Sequence, residues 1–176
     1  MIITISGPPG SGKTTVARLL AKKIGYPLIS GGEVFRNLAK SLGMDLLEFS
    51  KYAENNPEVD YRIDEEIARI AKESENLVID SRLSGWIMHR QNIPAFKVFI
   101  DASPEVRAMR IQMRDDGDID EVMRAMLIRE SSEKKRYKKL YDIDFEDTSI
   151  YDMVINSDNK KPEEIVEEVL GALGWM

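Results

Sequence analysis

The sequence predicts an α/β domain built on a parallel sheet with helices on both faces. Three observations carry this expectation. Five short apolar runs of strand length recur along the chain, helical patterns separate them, and a glycine-rich stretch joins the first run to the first helix. Strands that alternate with helices need crossover connections, and those cover both faces of a parallel sheet.

The first run is Ile2–Ser6. It is followed by "GPPGSGKTT", residues 7–15, and by "VARLLAKKI". At helical spacing Val16, Leu19, Leu20 and Ile24 fall inward, while Arg18, Lys22 and Lys23 fall outward. The second run is Pro27–Ser30. Residues 32–76 read as helices with a polar break at "ENNPEVD". The third and fourth runs are Leu77–Asp80 and Phe96–Asp101. Residues 105–150 are strongly charged, and the fifth run, Met153–Asn156, follows them. The last helix opens at Pro162, a good first-turn residue, and carries the stripe Ile165, Val166, Val169, Leu170 and Leu173. Segments 32–76 and 105–150 do not fit the core. They are candidates for a flap and a lid over a site, leaving 1–31, 77–104 and 151–176 as the core.

Composition bounds the function. At 176 residues with 43% hydrophobic content, one domain with a sizeable core is expected. The net charge of −6 argues against a general binder of nucleic acid, because phosphate backbones attract basic surfaces. The start lacks the charged and apolar regions of a signal peptide, and no apolar run reaches the roughly 18 residues of a membrane span. There is no cysteine, so disulfides and thiolate metal sites are excluded. A cytoplasmic monomer is the expectation.

The stretch from Gly7 to Thr14 matches G-x-x-x-x-G-K-S/T, with a strand before it and a helix after it. Glycines let successive backbone N–H groups turn toward one anion, and the helix N-terminus adds its own. A nucleoside triphosphate is therefore expected on Gly7, Pro8, Pro9, Gly10, Ser11, Gly12, Lys13, Thr14 and Thr15. Lys13 would reach the β- and γ-phosphates, and Thr14 would place its hydroxyl on Mg²⁺.

The loop does not say what receives the phosphate. The N-K-x-D signature of GTPases is absent, and the chain is too short for a large ATPase assembly domain. A small kinase remains, and its second anion calls for arginines. Arg36 follows "SGGEVF", and Arg82 lies just past "VID". Arg110 and Arg114 are spaced i, i+4, while Arg129 and Arg136 lie about two turns apart, so each pair shares a helix face. Between Glu105 and Lys139 ten basic residues face eight acidic ones, a local excess in an acidic chain. Arg107, Lys134, Lys135, Lys138 and Lys139 are read as the solvated part of that charge.

A phosphate-monoester acceptor has a second pKa of about 6 and needs no base near neutral pH. The obstacle is repulsion between two anions, which bidentate guanidinium groups relieve. The lone His89 is read as incidental.

Taken together, "GPPGSGKTT", "SGGEVFR", "VIDSRLSGW", "FIDASPEVRAMRI", "RESSEKKRY" and "IYDMVINS" resemble the archaeal-type cytidylate kinases of the nucleoside monophosphate kinase superfamily. "FIDAS" and "RESSEKKR" also resemble the bacterial enzymes. The resemblance covers nearly the whole chain. It implies a P-loop NTPase fold with strand order 2-3-1-4-5, and transfer of the γ-phosphate of ATP to CMP and dCMP. It places Arg36 and Arg82 on the CMP phosphate, Arg110 and Arg114 in the lid, and Arg129 and Arg136 between donor and acceptor. Asp80 would hold Mg²⁺, with Asp101 as second candidate. The chain departs from the pattern at Gly31 (usually threonine), Ser81 (usually glycine) and Asp142 (usually glycine).

Arg62 and Asp64 in "DYRID" are candidates for the base edge, and Trp86 and Tyr61 for stacking on it; solvated flap and plain packing are the alternatives. "DDGDIDE" lacks the glycine and glutamate a calcium loop needs and reads as a lid tip. "NSDNKK" lies where the superfamily receives adenine. Other readings stay open: a kinase of this architecture acting on AMP, UMP or a small metabolite, or a nucleotide-dependent switch associated with RNA.

Overall fold

Strands β1 (Ile2–Ser6), β2 (Leu28–Ser30), β3 (Leu77–Asp80), β4 (Phe96–Asp101) and β5 (Met153–Asn156) form one parallel sheet in the order β2-β3-β1-β4-β5. The computed structural model describes residues 1–175. Pro27, expected inside β2, sits just before it. It has no N–H to donate, but its carbonyl accepts from Val78 N.

The register places Ser30, Asp80 and Ile5 side by side at the carboxyl ends of three adjacent strands. β1 sits between β3 and β4, so the chain leaves it in one direction and later returns on its other side. Such a reversal opens a crevice at the strand ends, where α/β sheets bind ligands. The glycine loop occupies it.

Helices α1 (Lys13–Ile24) and α8 (Pro162–Leu173) cover one face. Their stripes bury Val16, Leu20, Ile165, Val169 and Leu170 against Ile3, Ile5, Val98 and Ile100. The other face is closed by α4 (Glu58–Glu73), α5 (Ser84–Arg90) and the end of α7 (Ile119–Tyr141), through Ile67, Met88, Tyr137 and Phe145. The flap adds α2 (Gly31–Ser41) and α3 (Leu46–Asn55), broken from α4 at Asn56–Pro57 and holding their own cluster of Phe35, Ala39, Phe49 and Ala53. Helix α6 (Pro104–Asp115) turns into α7 at the exposed tip Asp116–Asp118. The charged segment is thus not wholly apart from the core, since Tyr137 and Phe145 belong to the sheet-facing cluster.

Candidate active site

The glycine loop is held by backbone proximity that side chains would forbid. A Cβ on Gly7 would lie 2.1 Å from the Ile100 carbonyl oxygen, and one on Gly10 would lie 2.6 Å from that of Arg107. Both have φ in the left-handed range, at 153° and 78°. Gly12 caps α1 and offers no side chain to its N–H groups, so the first turn remains available to an anion.

Lys13 is buried, and its ammonium lies 3.8 Å from Asp80 Oδ1. Burial, then the charge of Arg82, pulls its pKa down to about 7, with Asp80 opposing. A polyphosphate would supply the missing counter-charge. Thr14 Oγ1 donates to Asp80 Oδ2 at 2.6 Å, and Ser30 Oγ donates to the same oxygen at 3.2 Å. Asp80 Oδ1 is buried with no hydrogen bond among the described residues. A hydroxyl and a carboxylate oxygen, side by side at the mouth of the loop, are hard donors that fit Mg²⁺, which takes few protein ligands and completes its shell with water and phosphate. Asp101 is not part of this group. Its Oδ1 accepts from Ala102 N and tightens the turn after β4.

Two spaces meet here. A donor cleft of about 490 Å³ is lined by Pro9–Val16, Arg36, Arg82, Arg110, Arg114, Arg129 and the Ser157–Pro162 loop. A second cavity of only about 40 Å³, the candidate acceptor cavity, lies between α2, α4, the end of β3 and α7. Arg82 and Arg129 line both.

The arginines divide by what they touch. Arg110 is spent on the loop itself: its guanidinium donates to Ser11 O at 2.9 Å, to Ser157 Oγ at 2.9 Å and to Ser157 O at 2.7 Å. It fixes the glycine loop to the 156–161 turn. Arg114, one turn on, is exposed beside Asp115 and faces the cleft. Arg107, expected in solvent, is buried; it donates to Ala102 O, Pro9 O and Glu130 and braces the loop from behind. Arg136 was expected between donor and acceptor. It lines the acceptor cavity and not the donor cleft; its Nε donates to Asp60 at 2.7 Å and its Nη1 to Ser132 Oγ.

Glu133, between Arg129 and Arg136 on the same face of α7, organises the group. It accepts from Arg82 Nε at 2.9 Å and lies 3.4 Å from Arg129 Nε. Burial works against its charge, yet Arg82, Arg129 and Arg136 hold its pKa below the ordinary carboxylate value. Burial works against Arg82 as well, yet Glu133, Tyr137 and Asp80 together hold its pKa above the ordinary value. Arg129 is the unbalanced member. Burial, then Arg82, brings its pKa down to about 10, and its Nε makes no hydrogen bond. Arg36, half-buried at the rim, is lowered by burial and then by Arg114 and Arg82.

Around the acceptor cavity, Asp64 is half-buried and accepts from Tyr141 Oη at 2.6 Å. Burial raises its pKa to about 7, against the lowering effect of that bond. Arg62, by contrast, is exposed and lines neither space. Tyr61 donates to Leu140 O on the outer side of α4, and Trp86 packs into the core beside His89. The aromatic walls of the cavity are instead Phe35 and Tyr137, with the guanidinium groups of Arg129 and Arg136 5.6 and 5.5 Å from the Phe35 ring centre. Sequence reasoning passed over Asp60, Glu133, Phe35 and Tyr137. Only Glu133 left a signal, at i+4 from Arg129 and i−3 from Arg136.

A P-loop at the end of β1, a hard-donor pair beside it and a shared arginine cluster over a second cavity define a P-loop phosphotransferase. The cytidylate kinase-like family model matches residues 2–159, and the chain belongs to that family. It is 48% identical to the cytidylate kinase of Archaeoglobus fulgidus over 98% of this chain and 94% of that one. It is 44% identical to the cytidylate kinase of Sulfurisphaera tokodaii, over 100% and 97%. Among solved structures, the shikimate kinase of Aquifex aeolicus superposes with a TM-score of 0.58 at 24% identity, covering 99% of this chain and 96% of that one; it speaks to the fold alone.

Proposed function

We propose that this protein transfers the γ-phosphate of ATP to CMP, and to dCMP, releasing ADP and the nucleoside diphosphate. The observation that carries the reading is Arg129, a buried, unbalanced guanidinium lining both the donor cleft and the acceptor cavity.

ATP lies with its polyphosphate on the N–H groups of Gly10–Thr15 and on Lys13, and its adenine against the Ser157–Lys161 turn. Thr14 and Asp80 would hold Mg²⁺, which would supply charge neutralisation for the phosphates. CMP lies with its phosphate toward Arg36 and Arg82 and its base between Phe35 and Tyr137, near Asp64. An ionised oxygen of the CMP phosphate attacks the γ-phosphorus, the bond to the β,γ-bridging oxygen breaks, and ADP leaves with that electron pair. No proton has to move first. Arg82 and Arg129 neutralise both anions along this line, while Arg136 and Asp60 shape the acceptor side. Arg110 positions the glycine loop, and Arg114 closes over the phosphates from the lid.

A cavity of about 40 Å³ holds little more than a water molecule. The flap, residues 32–76, therefore swings out to admit CMP and closes again, and the lid, 105–150, excludes water from the transfer. The enzyme acts as a cytoplasmic monomer, without nucleic acid or membrane. No helix among the described residues is long and apolar enough to cross a membrane.

A coupled ADP-release assay with ATP, Mg²⁺ and a panel of CMP, dCMP, UMP, AMP and shikimate tests the reading. CMP should give the highest kcat/KM, by at least about tenfold. Turnover led by another acceptor, or unmoved by any, would overturn it.

A further inference from the structure

Ser81 follows β3 directly and stands between Asp80 and Arg82. Its side chain lines the acceptor cavity, it is only 8% exposed, and its hydroxyl has no hydrogen-bond partner among the described residues. An unpaired buried hydroxyl costs on the order of 1–3 kcal/mol. Alanine would occupy the position without that cost, so packing alone does not account for serine.

The space Ser81 fills is set by its neighbour across the cavity. A Cβ on Gly31, the first residue of α2, would lie 2.8 Å from Ser81 Cβ, closer than two such carbons can approach. The other neighbours at that point, Ile67 Cδ1 at 3.5 Å and the Asp80 carbonyl oxygen at 3.7 Å, are at ordinary contact distance, so the clash is with Ser81 alone. Only one of the two positions can carry an ordinary side chain. This chain carries glycine at the first and serine at the second. The hydroxyl between these two positions therefore comes from the end of β3, on the cavity wall.

We propose that Ser81 is a specificity-determining residue whose hydroxyl hydrogen-bonds the acceptor nucleotide, and that Gly31 is glycine because Ser81 occupies its space. The inference rests on the CMP reading above. A hydroxyl donates and accepts, so it suits an uncharged polar group of the nucleoside half, either a sugar hydroxyl or the base edge. The charged end of the acceptor already has Arg36 and Arg82.

Steady-state kinetics on the full chain, with thermal melts, test this. Ser81→Ala should raise KM for CMP about three- to tenfold, the loss of one hydrogen bond. Its KM for ATP and its kcat should stay within about twofold, and its Tm should not fall. A rise seen with CMP but not with dCMP would place the bond on the 2′-hydroxyl; an equal rise with both would place it on the base. Gly31→Ser alone should lower Tm and raise KM for CMP, because two side chains then compete for one space. Combining it with Ser81→Gly should restore Tm and bring KM for CMP below that of Ser81→Gly alone. An unmoved KM for CMP in Ser81→Ala, or a double variant no better than Gly31→Ser, would overturn the proposal. Wild-type protein that turns over a different acceptor would instead overturn the CMP reading and leave these comparisons to be made with that acceptor.

Discussion

The donor and acceptor halves of the site are built on opposite principles. The glycine loop at the heart of the donor half is almost entirely backbone: nine consecutive residues, two forbidden Cβ positions and a helix start without a side-chain cap. The acceptor half is almost entirely side chain, gathered from α2, α4, the end of β3 and α7, with Glu133 and Asp60 holding three buried arginines in place. The first is open before substrate arrives, while the second is drawn down to about 40 Å³. A backbone nest can wait for its anion because N–H dipoles repel one another weakly. Clustered guanidinium groups cannot, so they need carboxylates of their own, and these must share them when a phosphate enters.

Removing the one charged side chain of the glycine loop should have the largest effect. Lys13→Ala is expected to lower kcat by at least about 10³-fold with the melting temperature retained, read by coupled assay and thermal melt. Turnover within tenfold of wild type would erase the distinction between the halves. Next comes the acceptor framework. Glu133→Ala leaves Arg82 and Arg129 buried without their shared partner and should cost about 3–5 kcal/mol in urea unfolding, as broken buried pairs do. A loss below about 1 kcal/mol would show that the arginines do not depend on it.

A smaller effect should appear in pH dependence. The carboxyl of Asp64 has its pKa raised to about 7 in the fold, from 3.8 in the unfolded chain. The folded state then binds more protons between those values, so this contribution to stability is full below pH 3.8 and is lost as pH rises through about 7. The groups facing it are Tyr141, Asp60 and Arg136. Asp64→Asn keeps an acceptor for Tyr141 and should flatten the decline in Tm between pH 5 and 8; an unchanged profile would assign the slope elsewhere. The smallest effect belongs to Arg62→Ala. Its side chain is exposed and outside both spaces, so KM for CMP should stay within twofold. A larger rise would draw α4's outer face into the acceptor half.

How much of this was legible in advance follows the same divide. The five apolar runs matched the strands residue for residue, Pro27 being the one exception. The glycine spacing located the donor cradle, because contiguous backbone conformation is written in contiguous residues. Helix spacing put Arg129 and Arg136 on one face, yet not their different duties, which depend on Asp60 and Glu133 reaching them. It grouped Arg110 with Arg114, although one is bound to Ser11 and Ser157 and the other pairs with Asp115 at the exposed rim of the cleft. Arg107 looked like its solvated neighbours because nothing local reports that Pro9 O and Ala102 O lie beside it.

By itself, then, the sequence determined the sheet, the covering helices and the phosphate nest, all of which arise from short-range periodicity and permitted backbone angles. Which arginine grips a substrate, which braces a loop and which neutralises a carboxylate was decided only by tertiary structure. Charge acts over a few ångströms of space, and residues 50 to 100 positions apart become neighbours only when the sheet brings its strand ends together.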